Sequence, residues 1–267
     1  NGVVYLTWPA IEKIEGIRHA FSTRIGGVSK KHLSSMNLSF SRGDDPANVR
    51  ENYRRFCEAA GFEVENIVTS DQAHTTKVRY VTKADCGSGV TRDRDFHDID
   101  GMITDEPGVV LATFYADCVP LYFVDPVHRA IGLSHSGWRG TVHKIGKITV
   151  QAMADQYGSR PEDIVAIIGP SICQDCYEVS EDVILEFQKY YREDCQSELY
   201  YQKENGKYQL NLWRANEIVM EEAGILPENI HTTQWCTCCN PELLYSHRAS
   251  KGKRGNLAAF LGLKRSE

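Results

Sequence analysis

At 267 residues, with 42% hydrophobic and 25% charged, the chain can bury a sizeable core, and no linker-like or low-complexity run divides it, so one domain over residues 1–267 is expected. A formal charge of -6 argues against nucleic acid as a partner, because such proteins need clustered positive charge to displace counterions; a small molecule fits better. No apolar run reaches the ~18 residues of a membrane span and no basic-then-apolar N-terminus signals export, which points to the cytoplasm and away from a membrane. In chain order, short strands are expected at Val3–Thr7 and Ile17–Ser22, then a loop with Arg24, Gly26 and Gly27. Asp45-Pro46 opens a helix that carries Val49, Tyr53, Phe56 and Ala60 on one face and stops at Gly61. A strand at Lys77–Val81 follows. The centre is rich in apolar runs broken by Pro, Gly and Asp: Gly101–Thr104, Val109–Tyr115, Pro120–Val124 and Ala130–Ser134, the last two joined by an Asp125-Pro126 turn. One long helix is read over Val142–Tyr157, with Ile145, Ile148, Ala152 and Met153 on its inner face. A strand at Ile164–Ile168 and helices at Glu181–Tyr191 and Leu212–Ala223 complete the pattern. Strands and helices mix without strict alternation, which favours an α+β layered mixed sheet over a doubly wound fold. No internal repeat, phosphate loop or Rossmann glycine signature is present.

Nine cysteines without an export signal are expected as reduced thiols, free to bind metal, act as nucleophiles or fill the core. Three segments carry more polar chemistry than structure needs: Asp71-Gln72-Ala73-His74, Ala116-Asp117-Cys118-Val119-Pro120 and Ser134-His135-Ser136-Gly137-Trp138-Arg139-Gly140. In the second and third a reactive side chain stands where a strand gives way to a loop, the place where rigid scaffolds present functional groups. If the 120–134 hairpin forms, Cys118 and His135 lie side by side at its open end. With His74 they make a two-imidazole, one-thiolate set with an open position, a zinc arrangement that also accepts copper. Each of the three, taken alone, reads equally as a core residue.

At these residues the chain resembles the laccase-domain family (multicopper polyphenol oxidase-like, YfiH/YlmD-type). The blocks are Phe21–Gly27, Asn37-Leu38, Gln72–His74, Ala116–Leu121, His135–Thr141, Ile168–Pro170, Cys176–Val179 and Ser246–Arg248, in the family's order over residues about 20–260. The resemblance implies His74, Cys118 and His135 as metal ligands. It further implies phosphorolysis of adenosine, inosine, guanosine and methylthioadenosine, and adenosine deamination. The implied fold is a layered α/β/β/α arrangement related to the catalytic domain of cytotoxic necrotizing factor. Two positions depart from the family: Thr75 replaces a common Gly after the first metal histidine, and Gly255-Asn256 replaces a frequent Gly-Arg.

Within that frame, Zn²⁺ is the expected ion and Cu²⁺ the alternative. Cys118, His135, Asp117 and Arg139 are the expected catalytic residues, with Asp117 orienting a ligating histidine. Arg24, Arg139 and Arg248 are read as phosphate ligands, since a guanidinium fork donates two bonds at once. Asn37 and Gln72 are read as nucleoside contacts, Tyr177 and Glu178 as pocket lining, and Trp138 as packing. A purine nucleoside and phosphate are the expected partners of a monomer or weak homodimer. Competing readings are a copper polyphenol oxidase, disfavoured by the lack of any His-x-His pair, and a metal-free Cys118–His135 hydrolase or deamidase, including one that edits cell-wall precursors. The base-editing deaminase signature H-x-E with P-C-x-x-C is absent. A structural zinc on Cys173, Cys176, Cys236, Cys238 and Cys239 is a further reading on spacing.

Overall fold

The computed structural model describes residues 2–265. In chain order its strands are β1 (Tyr5–Leu6), β2 (Ile17–Ser22), β3 (Ile67–Thr69), β4 (Val78–Tyr80), β5 (Gly101–Thr104), β6 (Val110–Tyr115), β7 (Val119–Asp125), β8 (Ala130–Ser136), β9 (Val165–Ile168), β10 (Glu178–Val179), β11 (Tyr200–Gln202), β12 (Tyr208–Leu210), β13 (Ile230–Thr232) and β14 (Leu257–Leu263). The helices are α1 (Pro9–Glu12), α2 (Pro46–Ala60), α3 (Trp138–Val142), α4 (Ile145–Tyr157), α5 (Glu181–Tyr190), α6 (Glu193–Leu199) and α7 (Leu212–Glu222).

Two mixed sheets pack face to face. One runs β1-β2-β14-β6-β3 and the other β13-β9-β7-β8-β5-β4, with a small β10-β12-β11 sheet beside them. Successive side chains of a strand point to opposite faces, and β14 shows the result. Leu257, Ala259, Leu261 and Leu263 meet Tyr122, Val124, Ile131 and Leu133 of the second sheet. Ala258 and Phe260 face the other way, against Val49, Tyr53 and Phe56 of α2. Likewise Leu121 and Phe123 of β7 pack on Ile145, Val150 and Met153 of α4, and on α5 and α7. The layers are therefore helix, sheet, sheet, helices, the α/β/β/α order of the mixed α+β class expected from sequence.

Helix α2 is built as its sequence signals: the Asp45 side chain accepts from Ala47 N–H, Pro46 takes the first turn, and Gly61 closes it at φ 73°. The long helix expected at Val142–Tyr157 is instead two, α3 and α4, broken where Lys144 adopts φ 62°. Lys144 there pairs with Glu222 at 2.5 Å, and Ile148, assigned to the inner face, is exposed. The first strand is shorter than expected, and β3, β10 to β14 and α6 are elements the sequence reading did not delimit. Most consequential is β14, the strand that pairs with both β2 and β6 at the middle of its sheet. Its alanines and Gly262 are weak strand formers, so long-range pairing rather than local propensity makes it a strand.

Candidate metal centre and its cleft

Strands β7 and β8 form the expected hairpin, with Pro120 opposite His135 and Val119 opposite Ser136. Asp125 closes it by accepting from the Val127 and His128 N–H groups. Cys118 therefore sits at the hairpin's open end, one residue before β7, with His135 beside it. His74 arrives from the loop between β3 and β4. The Cys118 Sγ is 3.9 Å from His74 Nε2, the two imidazoles lie edge to face at 4.9 Å between centroids, and the three ligand atoms are all within 4.8 Å of one another. Gly137 makes this convergence sterically feasible: a Cβ there would stand 2.8 Å from the His74 ring and 3.3 Å from the Cys118 sulfur.

A single carboxylate organises the site. Asp100, fully buried just before β5, accepts from His135 Nδ1 at 2.8 Å and from the N–H groups of Ala73, His74 and Thr75 at 3.0, 3.1 and 2.7 Å. The Thr75 hydroxyl adds a bond at 3.0 Å, and His135 N–H donates to the Asp100 carbonyl. One side chain thus fixes the His74 loop, at φ 60°, and the His135 tautomer together. This corrects the role expected of Asp117. Asp117, at φ 97°, takes the Thr237 hydroxyl at 2.7 Å and the Arg248 N–H at 2.7 Å, so it anchors the backbone before Cys118 rather than a histidine.

Burial alone would raise the Asp100 carboxyl, but the His135 hydrogen bond and charge and the surrounding N–H groups hold it below the usual range. Burial would also raise the Cys118 thiol, and the neighbouring imidazoles overcome that and favour thiolate. Burial would lower His135, which the Cys118 charge and the Asp100 bond outweigh, raising it. A thiolate poised between two imidazoles, one with its tautomer pinned by a carboxylate, is a donor set that fits a borderline-soft divalent ion with one position open to the cleft.

The cleft beside the three donors has a volume of about 680 Å³ and an arginine-rich wall. Arg42, Arg50, Arg92, Arg94 and Arg254 line it, with Phe40, Phe114 and Tyr115. Arg94 is committed to Asp71 and Thr69, and Arg92 to the Cys86 and Ala84 carbonyls. Arg42 and Arg254 keep donors in reserve: the Nε of each is buried without a hydrogen-bond partner among the described residues, although Arg254 Nη1 donates to Asn256 Oδ1 and the Gly255 carbonyl. Burial, then the charge of Arg42, brings Arg254 down to about 10, so it remains a cation at neutral pH.

Of the residues singled out from sequence, His74, Cys118, His135 and Gln72 line this cleft. Gln72 spends its amide on both backbone groups of Phe114, which fixes the end of β6 rather than leaving it to read a ligand. Arg24 donates to the Ser34 and Pro241 carbonyls and stacks on Tyr245; Asn37 is buried and bonded to Ser39, Asp44 and Asn256. Arg139 is exposed over Trp138, 4.3 Å from the ring centroid, and Arg248 donates to the Glu178 carbonyl above Tyr177. Glu178 pairs with Lys203 and Lys207. Among the cleft's lining residues, then, the arginines are Arg42, Arg50, Arg92, Arg94 and Arg254, none of which stands in the motifs singled out from sequence. Asp100 is also outside those motifs; it stands in the run Asp93, Asp95, Asp98, Asp100, where nothing local marks it out.

The family described as "Multi-copper polyphenol oxidoreductase laccase" matches residues 18–264. "Purine nucleoside phosphorylase YlmD" of Bacillus subtilis is 36% identical over 249 residues, 91% of this chain and 87% of the relative. A "Purine nucleoside phosphorylase" of Deinococcus radiodurans is 37% identical over 94% of this chain and 91% of the relative. The solved structure of YlmD from Geobacillus stearothermophilus superposes with a TM-score of 0.91 at 34% identity over 99% of this chain and 97% of that one. The Bacillus licheniformis hypothetical protein YfiH gives 0.92 at 32% identity over 98% and 97%. With that coverage at both the sequence and the fold level, the chain belongs to the laccase-domain family.

Proposed function

We propose that the protein is a cytoplasmic, metal-dependent purine nucleoside phosphorylase that converts adenosine, inosine, guanosine and methylthioadenosine, with phosphate, to free base and sugar 1-phosphate. Adenosine deamination is a secondary activity at the same site. The observation that carries this reading is the pairing of a three-donor metal set with two arginines whose buried Nε groups lack partners, in one cleft of nucleoside size. The names of the relatives at 36% and 37% identity support it.

Phosphorolysis passes through an oxocarbenium-like sugar while a phosphate oxygen attacks C1′ and the base departs. Arg42 and Arg254 supply the anion's positive cradle, and their planar forks orient it for attack. Phe40 and Phe114 give the apolar flank on which a purine rests. His74, Cys118 and His135 would hold zinc, with copper the alternative; when bound, the ion supplies a Lewis acid at the cleft wall. Asp100 keeps the His135 Nδ1 proton engaged, so that Nε2 presents its lone pair. The decisive experiment is a panel of nucleosides with and without phosphate, read by chromatography for base and sugar 1-phosphate. Zinc and copper are each restored separately after chelation. Activity with zinc alone supports the reading; activity with copper alone, together with phenol oxidation, would transfer it to the oxidase.

One observation favours a second reading. Asp100, His135 and Cys118 also form the carboxylate, imidazole and thiol of a metal-free hydrolase. Alkylation separates the two: Cys118 protected until chelation supports the metal, and Cys118 reactive regardless of chelator supports the hydrolase.

A further inference from the structure

Away from the cleft, two Cys-x-x-Cys turns face each other. Cys173 and Cys176 lie in the loop after β9, Cys236 and Cys239 in the loop after β13, and β9 and β13 are parallel neighbours in one sheet. The loops are stitched by backbone bonds, Ser171 N–H to the Trp235 carbonyl and Thr237 N–H to the Ser171 carbonyl, both at 3.1 Å. All four sulfurs fall within 4.8 Å of one another. Cys176 and Cys239 are 3.5 Å apart, and Cys173 and Cys239 4.0 Å. A tetrahedral ion with metal–sulfur bonds of ~2.3 Å sets its ligands about 3.8 Å from each other, between these two values.

The local backbone supports a thiolate at Cys236. Cys236 Sγ accepts the N–H of Cys173 at 3.3 Å and, from within its own turn, that of Cys239 at 3.4 Å. Cys238, which the spacing alone also offered, is not in the group of four sulfurs. Burial as small hydrophobes does not account for the four, since Cys239 is exposed and Cys173 and Cys176 are half-buried. We propose that Cys173, Cys176, Cys236 and Cys239 bind a second zinc ion, structural rather than catalytic, because four thiolates close its coordination sphere.

The position of the clamp gives it a task. Thr237, inside the second turn, donates its hydroxyl to Asp117, and Ile172, just before the first, donates its N–H to the Asp117 carbonyl at 3.0 Å. Asp117 immediately precedes Cys118, so the zinc locks the two loops that hold this backbone in its left-handed turn. The four-thiolate site does not depend on which reaction the cleft performs.

The test is residue-resolved alkylation of the full chain, purified under reducing conditions, before and after removal of metal with a strong chelator. Mass spectrometry should find Cys173, Cys176, Cys236 and Cys239 unreactive at first and all four modified after chelation. Reaction of the exposed Cys239 without chelator would overturn the proposal, as would resistance that chelator leaves unchanged and reductant removes, the mark of a disulfide. Elemental analysis gives the second arm. Cys176→Ser with Cys239→Ser should lower zinc by about one per chain, whereas Cys118→Ala should leave the zinc of the four-thiolate site in place. Unchanged zinc in the double variant, or iron with its visible absorption in place of zinc, would refute the assignment.

Discussion

Replacing Gly137 by alanine tests the geometry of the donor set with almost no other disturbance. Gly137 has φ −73° and ψ 175°, which alanine adopts freely, so backbone strain is absent. The added methyl would stand 2.8 Å from the His74 Cδ2 and 3.3 Å from the Cys118 sulfur. Carbon atoms settle at about 3.5–4.0 Å, so the His74 ring must withdraw by roughly 1 Å. Ligand positions tolerate only about 0.5 Å. Zinc affinity should therefore fall by about 10–100-fold, roughly 1.4–2.7 kcal/mol. Stability of the metal-free protein should hold or rise by about 0.4–1 kcal/mol, because alanine restricts the unfolded chain more than glycine does. Competition with a chelating dye gives the affinity, and urea unfolding of the metal-free protein gives the stability. Unchanged zinc affinity, or a metal-free protein destabilised by more than the loss in affinity, would refute the account of Gly137 as the space through which His74 reaches its partners.

Asp100→Asn keeps the shape but turns an amide nitrogen toward donors; loss of the acceptor for His135 and the His74 loop should cost about 3 kcal/mol of stability and 10–100-fold in zinc affinity, read by urea unfolding and metal competition. Arg254→Ala and Arg42→Ala should each raise the KM for phosphate about tenfold or more with a smaller change in the KM for nucleoside, and lysine should rescue Arg254 only in part, since it lacks the fork. His19 gives a pH signature remote from the site. It is buried, and its Nε2 accepts the Trp8 N–H at 2.7 Å; burial lowers its pKa from 6.5 to about 4, against the pull of Glu12. The native state keeps it neutral while the unfolded chain protonates it. Its contribution is thus intact above pH 6.5 and is lost progressively as pH falls toward 4, by about 3 kcal/mol in all. His19→Asn should flatten that arm of the stability profile, and an unchanged slope would contradict the assignment.

The hairpin that presents Cys118 and His135 was legible because β7 and β8 are continuous apolar runs joined by a turn-forming Asp-Pro, and because strand pairing at a fixed register leaves little freedom at the open end. The α2 boundaries were legible for a local reason as well, an Asp cap, a Pro at the first turn and a closing Gly. What escaped depends on distant contacts. The break at Lys144 carries no glycine, asparagine or proline to announce it. Arg254, within a run of Lys251, Lys253 and Arg254, looks like solvated surface charge until β14 pairs with β2 and β6 and brings it to the cleft beside Arg42. Arg24 and Asn37 lie in distinctive motifs for the opposite reason: their polar groups are spent holding loops together. A motif reports that a residue is constrained, and only the fold shows whether a ligand or the backbone constrains it.

In the proposed reaction one metal, held by His74, Cys118 and His135, and phosphate, held by Arg42 and Arg254, act together on a purine nucleoside. Incubating the zinc-loaded protein with inosine and phosphate, and following hypoxanthine and ribose 1-phosphate, tests it directly. The two products should appear in equal amounts, dependent on phosphate, abolished by chelation and restored by zinc. Hypoxanthine released equally without phosphate, or no release at all from the zinc-loaded protein, would contradict it.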